Sequence, residues 1–353
     1  NNNNNNNNGS RSSSSLPSKE IKVSRLLDAN ANGVNNSTVS SVRFHRSGGL
    51  LMTSGMDKCI RLFQPDGVRN TLMSSVVLDG FPIYTAEFTA RADEVVCTSR
   101  RHHFYTMNVE TCKVTRVPGI KGRKEKSYEN FAMQHGQDAK YMAMVGTSGN
   151  VLILSQTNKQ FLFSVKANNH VVKCAFTDSN DNHLYSICSS GEVYLWDMRM
   201  RKCVSRHYDE GSVHGTCIAT TIDSKVYACG SSSGVVNLYG KQHLKQQRQQ
   251  KQATALGGFR PSPLKSFMNL TTPVDHLAFS RNGEILAMAS SREKDSFRLV
   301  HVKSRTVFAN WPTNQTPLNY VSTLDFSPNC GFLAIGNAKG RVMLYRLNHY
   351  TSA

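Results

Sequence analysis

The sequence predicts an all-β fold: a seven-bladed β-propeller whose ring is closed by an N-terminal strand. Three observations predict it. A six-residue apolar pattern recurs about every 44 residues along the chain. Each recurrence is followed by two runs that alternate with a period of two and meet at a turn of Gly, Ser, Asn or Asp. A spare alternating segment precedes the first unit, where the last unit lacks room for its own outer strand.

The pattern reads apolar, two residues, small or apolar, one residue, aromatic or apolar. It appears as VSSVRF, IYTAEF, YENFAM, VVKCAF, VHGTCI, VDHLAF and VSTLDF, ending at Phe44, Phe88, Met133, Phe176, Ile218, Phe279 and Phe326. The intervals are 44, 45, 43, 42, 61 and 47 residues. A period of roughly 40 to 45 with period-two alternation marks four-stranded blades, because helical arrays of that period would show 3.6-residue amphipathicity. The second strands are read in LLMTSG, YMAMVG, LYSICSS, VYACGSS, ILAMASS and FLAIGN. The third strands are read in DKCIRLF, GNVLILS, GEVYLWD, GVVNLY, SFRLVHV and GRVMLYRL. The gaps between them suit tight hairpins. In the least regular unit, the second, EVVCTS and FYTMNV are joined by the basic turn RRHH.

One third strand ends in the chain's only Trp-Asp pair, Trp196-Asp197, which makes the ring of the WD40 type. Equivalent ends read Phe63-Gln64, Tyr239-Gly240 and Tyr345-Arg346. Trp196 is expected to pack between neighbouring blades and Asp197 to mark where the strand leaves the core. After Leu347 only six residues remain, so IKVSRLL, Ile21 to Leu27, is expected to supply the outer strand of the last blade and remove an open sheet edge. Residues 1–18, rich in Asn and Ser, are read as disordered and 19–350 as the propeller. The long interval holds a basic, Gln-rich insertion, 241–260, with a sparse apolar stripe, so a stable isolated helix is not expected there.

Forty-two Lys and Arg against 24 Asp and Glu give a formal charge of +18. Such a surplus suits a polyanionic environment such as RNA, where each neutralised phosphate releases counterions. Candidate RNA- or partner-binding residues are therefore the basic clusters at expected turns and outer strands. They are Arg100 and Arg101; Lys121, Arg123, Lys124 and Lys126; Arg199, Arg201 and Lys202; and Lys241, Lys245, Arg248, Lys251 and Arg260. Nine cysteines without a C-x-x-C pair read as small hydrophobes in a reducing compartment. No signal peptide or membrane span is apparent.

Catalytic and cofactor signatures are missing: there is no P-loop, G-x-S-x-G elbow, H-E-x-x-H or dinucleotide fingerprint. An enzyme, a cofactor, a metal and a small-molecule substrate are thus not expected. Two short matches invite other readings. WDMR, Trp196 to Arg199, fits the W-D-x-R pattern of substrate receptors of cullin-based ubiquitin ligases, the alternative function. LFQPD, Leu62 to Asp66, looks like a helicase-docking L-F-x-x-D peptide but falls at the end of a core strand.

The wording of several blades is more specific. VSSVRFHRSGGLLMTSGMDKCIRLFQPDG, PIYTAEF, MNLTTPVDHLAFSRNGEILAMASSREKDSFRLVHV and WPTNQTPLNYVSTLDFSPNCGFLAIGNAKGRVMLYRL together resemble the WD40 domain of the U3 small nucleolar RNA-associated protein 18 family. The resemblance runs from about Leu16 to Tyr350. It implies a scaffold subunit of the nucleolar small-subunit processome, needed for U3 snoRNA-dependent pre-18S rRNA processing and 40S ribosomal subunit assembly. Implied partners are other WD40 processome subunits, U3 snoRNA and pre-rRNA. An exosome-associated helicase is a further implied partner through an N-terminal extension, which does not stand before Ile21 here.

Overall fold

The computed structural model describes residues 16–350 apart from 121, 124, 137, 178–181, 251–258 and 314, and describes 248–250 by their backbone alone. Among these residues the strands sort into seven antiparallel sheets of four. In chain order the blades run Val39–Val77, Thr85–Val117, Phe131–Lys166, Val171–Tyr208, Gly215–Phe267, His276–Val307 and Val321–Leu347. The seventh takes its outermost strand, Val23–Arg25, from the start of the ring, with Val23 opposite Leu347 and Arg25 opposite Tyr345. This is the closure expected from Ile21 to Leu27.

The residue pattern of each strand follows its depth in the blade. Second and third strands are covered by neighbouring blades on both faces, so they read as continuous apolar runs: Leu51–Gly55 and Ile285–Ala289 are buried throughout. Outermost strands meet water and alternate, as Thr71–Val77 does from end to end. The hydrophobic core is accordingly distributed. One buried cluster fills each blade-to-blade contact, for example Met52, Ile60 and Leu62 against Phe81, Ile83 and Val95. Trp196 lies in the cluster between the third and fourth blades. Leu16, within the segment read as disordered, is buried in the cluster between the sixth and seventh; positions 1–15 lie outside the described residues.

Closure is reinforced by two asparagines. Asn30 accepts the Val342 amide at 2.9 Å and donates to the Gly340 carbonyl at 2.7 Å. Asn310 accepts the Ile21 amide at 3.0 Å and donates to the Ile21 carbonyl at 2.7 Å. Gly340 has φ +80° and a side chain there would collide with the Asn35 carbonyl, so only glycine lets the chain pass so close.

Two expectations need correction. The fifth innermost strand is Gly215–Thr220, two residues later than VHGTCI, with Gly215 paired to Ser231 and Thr220 to Tyr227. Its last residue is then 44 positions after Phe176, which restores the regular interval. The small Gly215 takes the place of the usual apolar residue because a Cβ there would press on Ile187 and the Cys188 carbonyl. The insertion also begins with a helix, Lys241–Gln250. Three tertiary contacts hold it. It continues directly from the third strand with the Lys241 amide on the Lys225 carbonyl at 2.8 Å. Leu244 packs beside the Tyr227 and Tyr239 cluster. Gln247 accepts the Ser262 amide at 3.0 Å. Those contacts supply what the sparse apolar stripe lacks.

Candidate functional site

Blade topology assigns the basic clusters to opposite faces. Connections between second and third strands, and from one blade to the next, share one face, here the linker face. Connections between first and second strands, and between third and fourth, share the other, the hairpin face. Arg100 and Arg101 follow the second strand of blade two, and Arg123 and Lys126 lie in the link to blade three, so all four belong to the linker side. Arg199, Arg201 and Lys202 join the third and fourth strands of blade four. Lys241, Lys245 and Arg260 do the same in adjacent blade five, so these six belong to the hairpin side. Lys121, Lys124 and Lys251 lie outside the described residues, as does the side chain of Arg248.

Several of these cations are already engaged within the ring. Arg100 forms a two-pronged contact with Glu129, at 2.8 and 3.1 Å, and lies 4.7 Å above the Tyr84 ring. Arg123 donates to Ser164 at 2.7 Å and covers Phe161. Arg201, with φ +55°, lies over Phe163 at 4.8 Å, bridging blades four and three. Arg260 covers Tyr208 at 5.4 Å, tying the end of the insertion to blade four. Exposed, and with no ion pair among the described residues, are Arg101 and Lys126 on the linker face and Arg199, Lys202 and Lys245 on the hairpin face.

The two short motifs have local explanations. Asp197 Oδ1 accepts the amides of Arg199 and Met200 at 2.7 and 3.0 Å, so W-D-x-R here caps a turn. Those bonds hold the Asp197 carboxyl below the usual range despite an opposing desolvation. In LFQPD, Leu62 and Phe63 are buried and Asp66 caps the next turn through the amides of Val68, Arg69 and Asn70.

A feature the charge clusters did not reveal lies on the ring axis. A cavity of about 400 Å³ is lined by the innermost strands, with Arg46, His135 and Arg281 among the hairpin-face residues around it. Arg43 Nε lies 3.5 Å from Glu87, and Asp325 accepts the Phe44 amide at 2.8 Å. Burial works against the Arg43 charge, yet Glu87 and Asp325 outweigh it and raise the guanidinium pKa. Burial likewise opposes the Glu87 charge, and the His135 hydrogen bond and Arg43 overcome it and lower the carboxyl pKa. Asp325 is pushed up by burial, which Arg43 only partly offsets. The repeat pattern carried a signal for these residues: its fifth position is Arg43, Glu87 and Asp325 in three units but alanine at 132, 175 and 278.

Residues 29–64 match the family described as WD domain, G-beta repeat. The U3 small nucleolar RNA-associated protein 18 homolog of Arabidopsis thaliana is 38% identical over 96% of this chain and 60% of its own length. The Mus musculus homolog is 39% identical over 96% and 59%, and the Saccharomyces cerevisiae U3 small nucleolar RNA-associated protein 18 is 32% identical over 95% and 62%. Nearly the whole chain is similar to the U3 small nucleolar RNA-associated protein 18 family. It spans about three fifths of the length of these curated relatives. The similarity to the U3 small nucleolar RNA-associated protein 18 family takes in 95 to 96% of the chain. Among the described residues no group of three His, Cys, Asp or Glu side chains could hold a metal ion, and no helix is long and apolar enough to cross a membrane.

Proposed function

We propose that the chain is the propeller of a non-catalytic scaffold subunit of the small-subunit processome, acting in U3 snoRNA-dependent pre-18S rRNA processing and 40S ribosomal subunit assembly in the nucleolus. The observation that carries this reading is the similarity, over 95 to 96% of the chain, to relatives named as U3 small nucleolar RNA-associated proteins. The charge of +18 and the exposed cations on both faces support a ring placed among RNA and acidic protein surfaces. Other WD40 subunits, U3 snoRNA and pre-rRNA are the partners this reading implies. The exosome-associated helicase is a partner only through a segment outside this ring, since the L-F-x-x-D match at Leu62 is buried.

Affinity purification of the full-length protein tests the proposal: U3 RNA and early pre-ribosomal proteins should co-purify. Stoichiometric cullin adaptor with no RNA would instead establish a ubiquitin-ligase receptor. Neutralising Lys241, Lys245, Arg248 and Lys251 together should weaken recovery of the particle while leaving the melting temperature of the ring unchanged. A collapse of thermal stability would show that the insertion is structural.

A further inference from the structure

The axial cavity is built unevenly. On the side of blades seven, one and two, Arg43, Glu87 and Asp325 compensate one another's charge. On the side of blades three to six, the equivalent positions are Ala132, Ala175, Ala219 and Ala278, all lining the cavity and leaving its volume open. Two positions earlier on their strands, Lys173 of blade four and His276 of blade six face the same space.

Lys173 lacks the direct ion pair that Arg43 has, although Asp275 and Glu87 act on it from farther away. Among the described residues its ammonium donates only a long bond, 3.5 Å, to the Asp275 carbonyl. No carboxylate among the described residues lies within 4 Å of it, whereas Arg43 has Glu87 inside that distance. Asp275 and Glu87 favour the Lys173 charge only from beyond that distance, and a half-buried cation with no carboxylate in direct contact gains when an anion is brought to it. Burial already holds the Lys173 pKa below the ordinary lysine range and pushes His276 down to about 3, so His276 is a neutral neighbour. Exposed Arg46 and Arg281 add positive charge to the lining on the hairpin face. A space of about 400 Å³ is at the small end of ligand sites, enough for a few side chains and too little for a nucleic-acid strand.

We propose that the axial cavity receives an acidic side chain from an extended peptide of a partner protein, with Lys173 as the counter-ion of its carboxylate and Arg46 and Arg281 meeting flanking acidic residues. This goes beyond the scaffold reading, because it belongs to the ring whatever particle contains it.

Fluorescence anisotropy on the 353-residue chain provides the test, with labelled deca-glutamate as the probe and deca-glutamine and sodium acetate as comparisons. Deca-glutamate should bind and deca-glutamine should not. Lys173→Met, of similar length, should weaken binding at least about tenfold, a loss of about 1.4 kcal/mol. Lys202→Ala, on the outer rim, should leave it within about twofold. Ala219→Phe, which fills the cavity, should cause the same loss as Lys173→Met and decides the matter if that variant does not fold. Equal binding by both peptides, or binding that survives Lys173→Met and Ala219→Phe, would overturn the proposal. Full displacement of the peptide by millimolar acetate would also overturn it, in favour of a small-anion site.

Discussion

At Trp196 the most legible residue of the repeat does structural work. Its indole stacks on Tyr194, with ring centroids 5.2 Å apart, and its Nε1 donates to Ser186 Oγ at 2.8 Å. Ser186→Ala would leave that buried N–H unpaired and should cost about 1–3 kcal/mol, whereas Trp196→Ala should cost about 3–5 kcal/mol through the cavity it leaves. Urea unfolding of the two variants checks the order. Asp209 ties stability to pH. Desolvation pushes its carboxyl up to about 6, although Asn237 and Tyr239 donate to it at 2.9 and 2.7 Å. A raised carboxyl holds its proton more tightly when folded than when unfolded. Its contribution to stability is therefore greatest below the unfolded value near 4 and falls as pH climbs through about 6. The difference in melting temperature between Asp209→Asn and the parent should rise from pH 4 to pH 7, reflecting up to about 3 kcal/mol. A flat difference would mean that Asp209 titrates normally.

Strands and loops make their own demands. Asn30 replaces a strand pairing just where the closing segment leaves the seventh blade: its side chain substitutes for a main-chain partner of the Val342 amide and adds to the Asn35 amide on the Gly340 carbonyl. Asn30→Leu should cost about 1–3 kcal/mol, chiefly through the orphaned Val342 amide. Hydrogen exchange should then accelerate first at 23–29 and 342–347, while the opposite side of the ring keeps its protection. The helix Lys241–Gln250 stands at the other extreme, anchored by Leu244 and Gln247. Leu244→Asp should speed amide exchange over 241–247 and leave the global melting temperature within about 2 °C, because the helix contributes to only one of the blade interfaces.

Across the ring, exposed cations stand on both faces. Hairpin-face cations Arg199, Lys202 and Lys245 project from adjacent blades, whereas Arg101 and Lys126 project from the linker face. Binding of a single-stranded RNA probe should weaken more on replacing the first three by Gln than on replacing the other two. Its salt dependence should fall by about 0.7 in slope per lost phosphate contact. Equal losses would mean that RNA is held without preference between the faces.

Much of this architecture was readable from the chain. A strand covered on both faces must be apolar along its length and a tight turn must be small, so Leu50–Gly55 and Ile285–Ser291 announce themselves locally. The closing strand was legible by subtraction, from the six residues after Leu347. Site residues were less so. The surface position of the basic clusters follows from turns, but a sequence says nothing of Glu129 opposite Arg100, or of Phe163 beneath Arg201, because those partners come from other strands. The start of blade five at Gly215 depended on contact with Ile187, and the helix on a tyrosine cluster ready to receive Leu244. Arg43, Glu87, Lys173, His276 and Asp325 stand far apart in the chain and meet only because each innermost strand aims alternate side chains at one axis. The sequence by itself therefore determined the number of blades and the closure of the ring, which local periodicity dictates. Only the tertiary structure decided which charges compensate one another on the axis and that Lys173 is left without a carboxylate in direct contact, since closure of the ring sets those distances.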